Sequence, residues 1–343
     1  MTAAMGSDSR CGPRLQACSF RRVNIRPIAT VLGATAALSA QTIDQVREAV
    51  REAASAGRYS LFVASVGSLV RDGEMSGGRL EIDTEPKLRV TDATLPYRKD
   101  FFRDGDDPWL RIEATLGYAT VEARFPDLWS GSLPQIATSI DARYEAFVAD
   151  VGVGPCFAVG SGIVVSPLVH LGCSRISNEA EFDGPGAAFT QSITEGILFD
   201  WAGIYGSFGS SLAVRAESEK WMGAEWSPQV RYDIRRTEGL DVDDPAIDAD
   251  DTTQWITTRV DGKTPLGIDA LGAPLHAMFG AGYRRWLGEA VGQLGFDDFY
   301  ELTLGVGADD GEALPIVESV RFSCSYLFGD DVQGWSIGFG VTF

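Results

Sequence analysis

Apolar side chains recur at every second position in runs, several of them nine residues or longer, and that period sharply limits what the chain can become. Leu110, Ile112, Ala114, Leu116 and Tyr118 alternate with Arg111, Glu113, Thr115 and Gly117. Ile140, Ala142, Tyr144, Ala146 and Val148 alternate with Asp141, Arg143, Glu145 and Phe147. The same period runs through Leu275–Arg284, Tyr300–Val306 and Val320–Phe328. A period of two puts successive side chains on opposite faces of a strand. Strands of a soluble sandwich average about five or six residues, whereas a tilted strand needs about 9–11 to cross a bilayer. The length of the runs therefore favours an all-β, transmembrane, antiparallel up-and-down barrel over a sandwich. Aromatics near the run ends (Tyr118, Tyr283, Tyr300, Tyr326, Phe328) suit the two membrane interfaces. Counting runs gives about 12 strands; residues 192–236 divide in more than one way, and an even count makes 14 the alternative.

The last strand carries the strongest single signal. Trp335, Ile337, Phe339, Val341 and Phe343 form one face, and Ser336, Gly338, Gly340 and Thr342 the other. A closing strand needs a lipid-compatible face and a lumen face of small residues. The alternating terminus ending on an aromatic resembles the signature read by the outer-membrane barrel-assembly machinery. With apolar positions assigned to lipid, the polar set expected in the lumen is Arg111, Glu113, Asp141, Arg143, Glu145, Arg231, Asp233, His276, Arg284, Glu301 and Arg321. Unpaired charges are costly in a lumen walled by low dielectric, so these mixed signs are expected to pair across it.

Ahead of the strands, Arg10, Arg14, Arg21, Arg22 and Arg26 precede the apolar stretch Ile28–Ala40. A basic region, a short apolar region and small residues before Gln41 make residues 1–40 a cleaved secretory signal peptide, and the apolar stretch itself is too short to span a bilayer as a helix. Residues 42–56 read as an amphipathic helix: Thr42 and Gln45 are spaced as a capping box, and Ile43, Val46, Ala49, Val50 and Ala53 share a face. The expected organisation is thus signal peptide 1–40, helix 41–57 in the lumen or the periplasm, and barrel 58–343. From Val151 to Ser174 no charged residue occurs, but its glycines and Pro155 and Pro167 favour a turn and strand over a helix. The acidic stretch Asp241–Asp251 lacks the Gly-centred loop with a closing Glu that calcium requires, and is expected to be a solvated loop at the outer face. Once the leader is removed, Cys156, Cys173 and Cys324 remain, an odd set with no metal-like spacing; Cys156 and Cys173 could pair only if they face each other across a hairpin, and the three are expected to act as small apolar wall residues.

A formal charge of −19 argues against nucleic acid or an anionic membrane surface as a partner. The histidines offer no local catalytic pattern. Outer-membrane phospholipases and lipid A deacylases place Ser two residues after the His, where this chain has Gly172 and Met278. Omptin-type proteases place Asp two residues before it, where Leu168 and Pro274 stand. No catalytic residue, cofactor or metal is therefore expected, and His276 is assigned a structural hydrogen-bonding role. Four segments, Cys173–Glu179, Leu198–Trp201, Leu294–Leu302 and Gly334–Gly340, make the mature chain resemble the solitary outer-membrane autotransporter-type β-barrel proteins, which lack a passenger. That resemblance implies about 12 strands, no known reaction and a structural or translocation-related role in a Gram-negative outer membrane. The expected partners are outer-membrane lipids and the assembly machinery, with the chain a monomer. A porin-like pore for small solutes or ions is the alternative, and an outer-membrane hydrolase a further one.

Overall fold

The computed structural model describes residues 42–342 apart from 57–58, 70–75, 84–86, 104–107, 129–136, 161, 217–218, 222, 271–272, 292–295 and 310–318. The expected signal peptide and Phe343 lie outside the described residues. Two helices, α1 (Ile43–Ala56) and α2 (Tyr59–Leu69), precede the wall. Its strands are β1 (Ser76–Ile82), β2 (Lys87–Phe101), β3 (Trp109–Leu128), β4 (Thr138–Ala158), β5 (Ile163–Asp183), β6 (Trp201–Ala216), the short β7 (Glu219–Trp221), β8 (Ala224–Val242), β9 (Asp250–Ala270), β10 (Ala273–Leu287), β11 (Asp298–Asp309), β12 (Ser319–Phe328) and β13 (Val332–Thr342). A third helix, α3 (Ala187–Thr194), lies between β5 and β6. Chain neighbours pair antiparallel, β1 pairs with β13, and β6 pairs directly with β8, so twelve strands close the ring while β7 only extends the β8 hairpin. Closure satisfies the ladder all round, which hydrocarbon demands because no water is present to pair an open edge.

The wall is longer than the membrane is thick, and its polarity inverts along single strands. In β4, outward Phe147, Val151, Val153 and Phe157 are exposed and apolar, while inward Asp150, Gly152, Gly154 and Cys156 are buried. Earlier in the same strand the pattern reverses: Ile140, Ala142, Tyr144 and Ala146 face inward, and Asp141 and Arg143 face out. β5 changes over near Cys173, with Val169 and Leu171 outward on one side and Arg175, Glu179 and Glu181 on the other. The uncharged outward run from Phe147 to Phe157 measures about 33 Å at about 3.3 Å per residue; tilted about 45°, it rises about 23 Å, close to the apolar band of known barrels. Aromatics mark its upper border. Tyr118 packs on Phe147 at 4.6 Å, Tyr283 on Tyr300 at 5.0 Å and Tyr300 on Phe328 at 5.6 Å. This is the interfacial girdle expected from the run ends.

Above the band, the inverted wall encloses an apolar core around the helices. Val46, Val50 and Ala54 of α1 and Tyr59, Val63 and Val66 of α2 pack with Val90, Val121, Ile140, Tyr144, Ile176, Trp201, Tyr205 and Trp255 of the wall. The capping box forms reciprocally: Thr42 N donates to Gln45 Oε1 at 3.0 Å and Gln45 N to Thr42 Oγ1 at 3.4 Å. The wall begins at Ser76 rather than at residue 58, because Tyr59–Leu69 is a second helix. Its side chains are apolar nearly all round, so they carry neither the 3.6-residue stripe of a surface helix nor a period of two. The acidic stretch also departs from expectation. Asp241, Asp243, Asp248 and Asp250 are exposed, but Asp244, Ala246, Ile247 and Ala249 turn inward around the one-turn helix Pro245–Ile247 and close over α1. Arg51 clamps it there, with Nε 3.1 Å and Nη2 3.0 Å from Asp244 Oδ2, while Arg47 donates to the Ser192 and Glu195 carbonyls beside α3 at 2.8 and 2.9 Å.

The Tyr59 hydroxyl donates to the Leu198 carbonyl at 2.7 Å and lies 3.2 Å from the Tyr144 hydroxyl. Burial pushes the Tyr59 phenol well above its ordinary value, the neighbouring Tyr144 adding to the effect. Folding thus favours the neutral phenol, and stability from this packing is complete below about pH 10 and lost as the pH rises through the folded value. Alkaline titration of the folded protein should loosen the helices above pH ~10, and Tyr59→Phe should flatten that slope; an unchanged slope refutes the assignment.

The inversion also makes a position-dependent prediction. Leu171→Arg places a cation on the lipid face and is expected to cost about 2–4 kcal/mol, against less than about 0.5 for Glu181→Arg beyond the band. Urea unfolding in lipid vesicles measures both, and equal costs would contradict the placement of the band.

Candidate functional site

Below the apolar core the lumen is polar, and its charges pair as expected of mixed signs. Arg111, from β3, forks onto Asp100 of β2 at 2.7 and 2.9 Å and donates to Ser166 of β5 at 3.3 Å. Ser166 in turn lies 3.0 Å from Cys156 Sγ. Glu113 accepts from Arg231 Nη1 at 2.8 Å, a bond between β3 and β8, which are not ladder neighbours, so it is a chord across the barrel. Arg98 lies 3.3 Å from the other Glu113 oxygen. Arg231 also holds the fully buried Asp233 at 2.8 Å, and Arg235 reaches Asp233 at 3.2 Å.

A second set lines the β9–β12 side. Arg259 pairs with Asp261 at 2.8 Å and approaches Glu301 at 3.9 Å. Glu301 accepts from Thr303 at 3.2 Å, and Thr303 and Ser325 hydroxyls lie 2.8 Å apart. The Arg284 guanidinium lies 5.9 Å from the Trp286 ring and 5.7 Å from Phe299. His276 is buried opposite Gly307, where a Cβ would overlap the imidazole, and Arg321 sits opposite Gly307 and Gly340 on the same inward face as Ser323 and Ser325. Asp92, Arg259, Arg284, Glu301 and Ser325 help line a cavity of about 150 Å³.

Eight of the eleven expected lumen residues thus point inward: Arg111, Glu113, Arg231, Asp233, His276, Arg284, Glu301 and Arg321. Asp141, Arg143 and Glu145 do not. They lie on the outer face of β4 above the membrane band, where Asp141 meets Arg124 at 3.4 Å and Arg143 meets Glu145 at 2.8 Å. Water rather than lipid bathes the wall at that height, so the charged face turns out and Ile140, Ala142 and Tyr144 turn in. The terminal aromatic face holds for Trp335, Ile337 and Phe339, all exposed outward; Val341 continues β13. Among the described residues, Cys156, Cys173 and Cys324 are free thiols. Cys156 faces the lumen and Cys173 the exterior, so the two cannot bridge.

Local inspection misses one constellation. His170 Nδ1 lies 2.8 Å from Asp150 Oδ1, and its Nε2 lies 3.0 Å from Ser211 Oγ. All three side chains are buried, on the adjacent strands β4, β5 and β6. The partners are 20 and 41 residues away in the chain, and only the register of three strands brings them together.

No family model matches the chain, and no curated protein does. Among solved structures, the barrel is similar to the β-domain of the Bordetella autotransporter BrkA at 12% identity, covering 78% of this chain and 96% of that one with a TM-score of 0.45. It is similar to the transport unit of the autotransporter AIDA-I from Escherichia coli at 12% identity, covering 84% and 99% with a TM-score of 0.46. A FadL homologue of Pseudomonas aeruginosa matches at 10% identity, covering 74% and 68% with a TM-score of 0.41. What the lumen can do is set by this chain's own residues.

The β3–β8 chord should matter to stability. Arg231→Met leaves Glu113 and the buried Asp233 each short of a cation and is expected to cost about 3–5 kcal/mol in urea unfolding. Glu113→Gln combined with Arg231→Met should not exceed the single-variant cost, because the stranded carboxylate at 113 is gone; additive losses would show that the two do not act as a pair.

Proposed function

We propose that this chain is an outer-membrane barrel of translocator type without an attached passenger, holding its own lumen shut with α1 and α2. The observation that carries the reading is the apolar core built where the wall outlasts the bilayer. Residues that would line an open vestibule (Ile140, Tyr144, Ile176, Trp201, Tyr205) are instead packed against the helices. Such a surface is costly to expose to water, so the closed arrangement is favoured over an empty tube. Orienting the end of β13 toward the periplasm puts the helices, α3 and the acidic turn on the outside, where the longest connection, residues 184–200, also falls. Arg47 and Arg51 act as the latch, since they tie α1 to the connections rather than to the wall.

A porin-like function requires that lumen to stand open. Single-channel recording in planar bilayers separates the two. The unmodified protein is expected to rest near baseline with rare openings, and Arg47→Ala/Arg51→Ala to open several-fold more often. A steady conductance in the unmodified protein would sink the closed reading and leave a pore.

A further inference from the structure

We propose that Asp150, His170 and Ser211 form a nucleophile relay in the lumen, in which Ser211 attacks a small carboxylic ester or an equivalent electrophile arriving from the end opposite the helices. With a neutral imidazole, the contacts set the direction of the relay. Asp150, as a carboxylate, can only accept, so His170 donates from Nδ1. Its Nε2 is then the lone-pair nitrogen, and the Ser211 hydroxyl must be the donor at 3.0 Å. A serine hydroxyl that donates to a base oriented by a carboxylate is poised to give up its proton as it attacks.

The wall around it leaves room for the imidazole. His170 stands opposite Gly152 on β4 and Gly209 on β6, and a Cβ on Gly152 would overlap its ring. The stem of Arg235 occupies the space over Gly209, and its Nη1 donates to the carbonyl of Ser210, the residue before Ser211, at 3.0 Å and to that of Ile234 at 3.1 Å. Arg235 is 2% exposed, and its Nε has no hydrogen-bond partner among the described residues. A buried cationic donor left over at this place costs stability and supplies what a developing oxyanion needs. Asp233, across the ladder from Ser211, would oppose negative charge there, but Arg231 and Arg235 both pair with it.

The step balances without a co-reactant beyond water. Ser211 Oγ bonds to the carbonyl carbon as its proton passes to His170 Nε2; the ester C–O bond breaks, and the leaving alcohol takes that proton. Water then releases the acid by the same exchange. The relay goes beyond the closed-barrel reading and does not rest on it.

A small fluorophosphonate tests the proposal on the full chain folded in detergent, with boiling-dependent gel mobility confirming the fold of every sample. Phosphorus should bond to Ser211 Oγ with loss of fluoride, seen as one adduct in the intact mass and mapped to the peptide bearing Ser211. Ser211→Ala should abolish it. His170→Gln and Asp150→Asn should slow labelling at least ~100-fold, and His170→Gln should remove the dependence of the labelling rate on pH, which a packing role would leave in place. Folded unmodified protein that takes up no adduct, or that labels Ser207 as readily as Ser211, overturns the proposal and returns His170 to a structural role. Should Ser211→Ala fail to fold, the mapped adduct in the unmodified chain decides alone.

Discussion

Each strand of this wall passes from hydrocarbon into water while its backbone pairing continues unbroken, and the arrangement of everything else follows from that change of solvent. In the hydrocarbon, the ladder must close and the outer face must be apolar, so the charged alternates turn in. Past the band, the same ladder can present charge outward, and the apolar alternates need a partner inside. In β4 the changeover takes place between Tyr144, which faces the helices, and Phe147, which faces the girdle. The helices α1 and α2 are what the inverted segment buries against, and a barrel cut off at the membrane border would have no comparable surface to hold them.

How far this was legible depends on whether the signal was local. The strand runs, the capped helix, the girdle and the outward face of β13 all follow from spacing within a single segment, and the structure bears them out. Period two specifies two faces but not which of them is wet. For Arg111 and Glu113 lipid lies outside and the reading holds, whereas for Asp141, Arg143 and Glu145 water lies outside and it inverts. Nothing within Ile140–Val148 marks the height at which the bilayer ends; the charged outer positions of the neighbouring strands, Glu122 and Arg124 on β3 and Glu179 and Glu181 on β5, mark it only once the register is known. α2 was hidden for a related reason, since its mostly apolar residues with scattered serines and a glycine carry no stripe.

The contacts that were not legible join parts of the chain far apart in sequence. Arg51 finds Asp244 193 residues away, and Arg231 finds Glu113 118 residues away. Both arginines carry more than one carboxylate contact, which matters because a half-satisfied charge in a poorly hydrated space costs more than an apolar residue would. The acidic turn shows how little composition says about exposure. Asp241, Asp243, Asp248 and Asp250 are exposed, while Asp244 is buried because the turn's own Ala246 amide and the Arg51 side chain both donate to it.

The same reasoning bears on the lumen below the core. A barrel that only had to be filled could line this region with small apolar residues and hydroxyls, as β12 does with Ser319, Ser323 and Ser325. On the β4–β8 side it instead buries Asp150, Asp233, His170 and Arg235 within a few ladder steps, with Arg231 half-buried beside them and glycines cut away beneath the imidazole. Burying ionisable groups in that density lowers stability unless pairing recovers it, and one guanidinium nitrogen is left outside the pairing. Filling the lumen accounts for the ion pairs, which neutralise one another. The histidine asks for more, since both nitrogens of a buried imidazole need partners, and here a carboxylate on one neighbouring strand takes Nδ1 and a serine hydroxyl on the other takes Nε2.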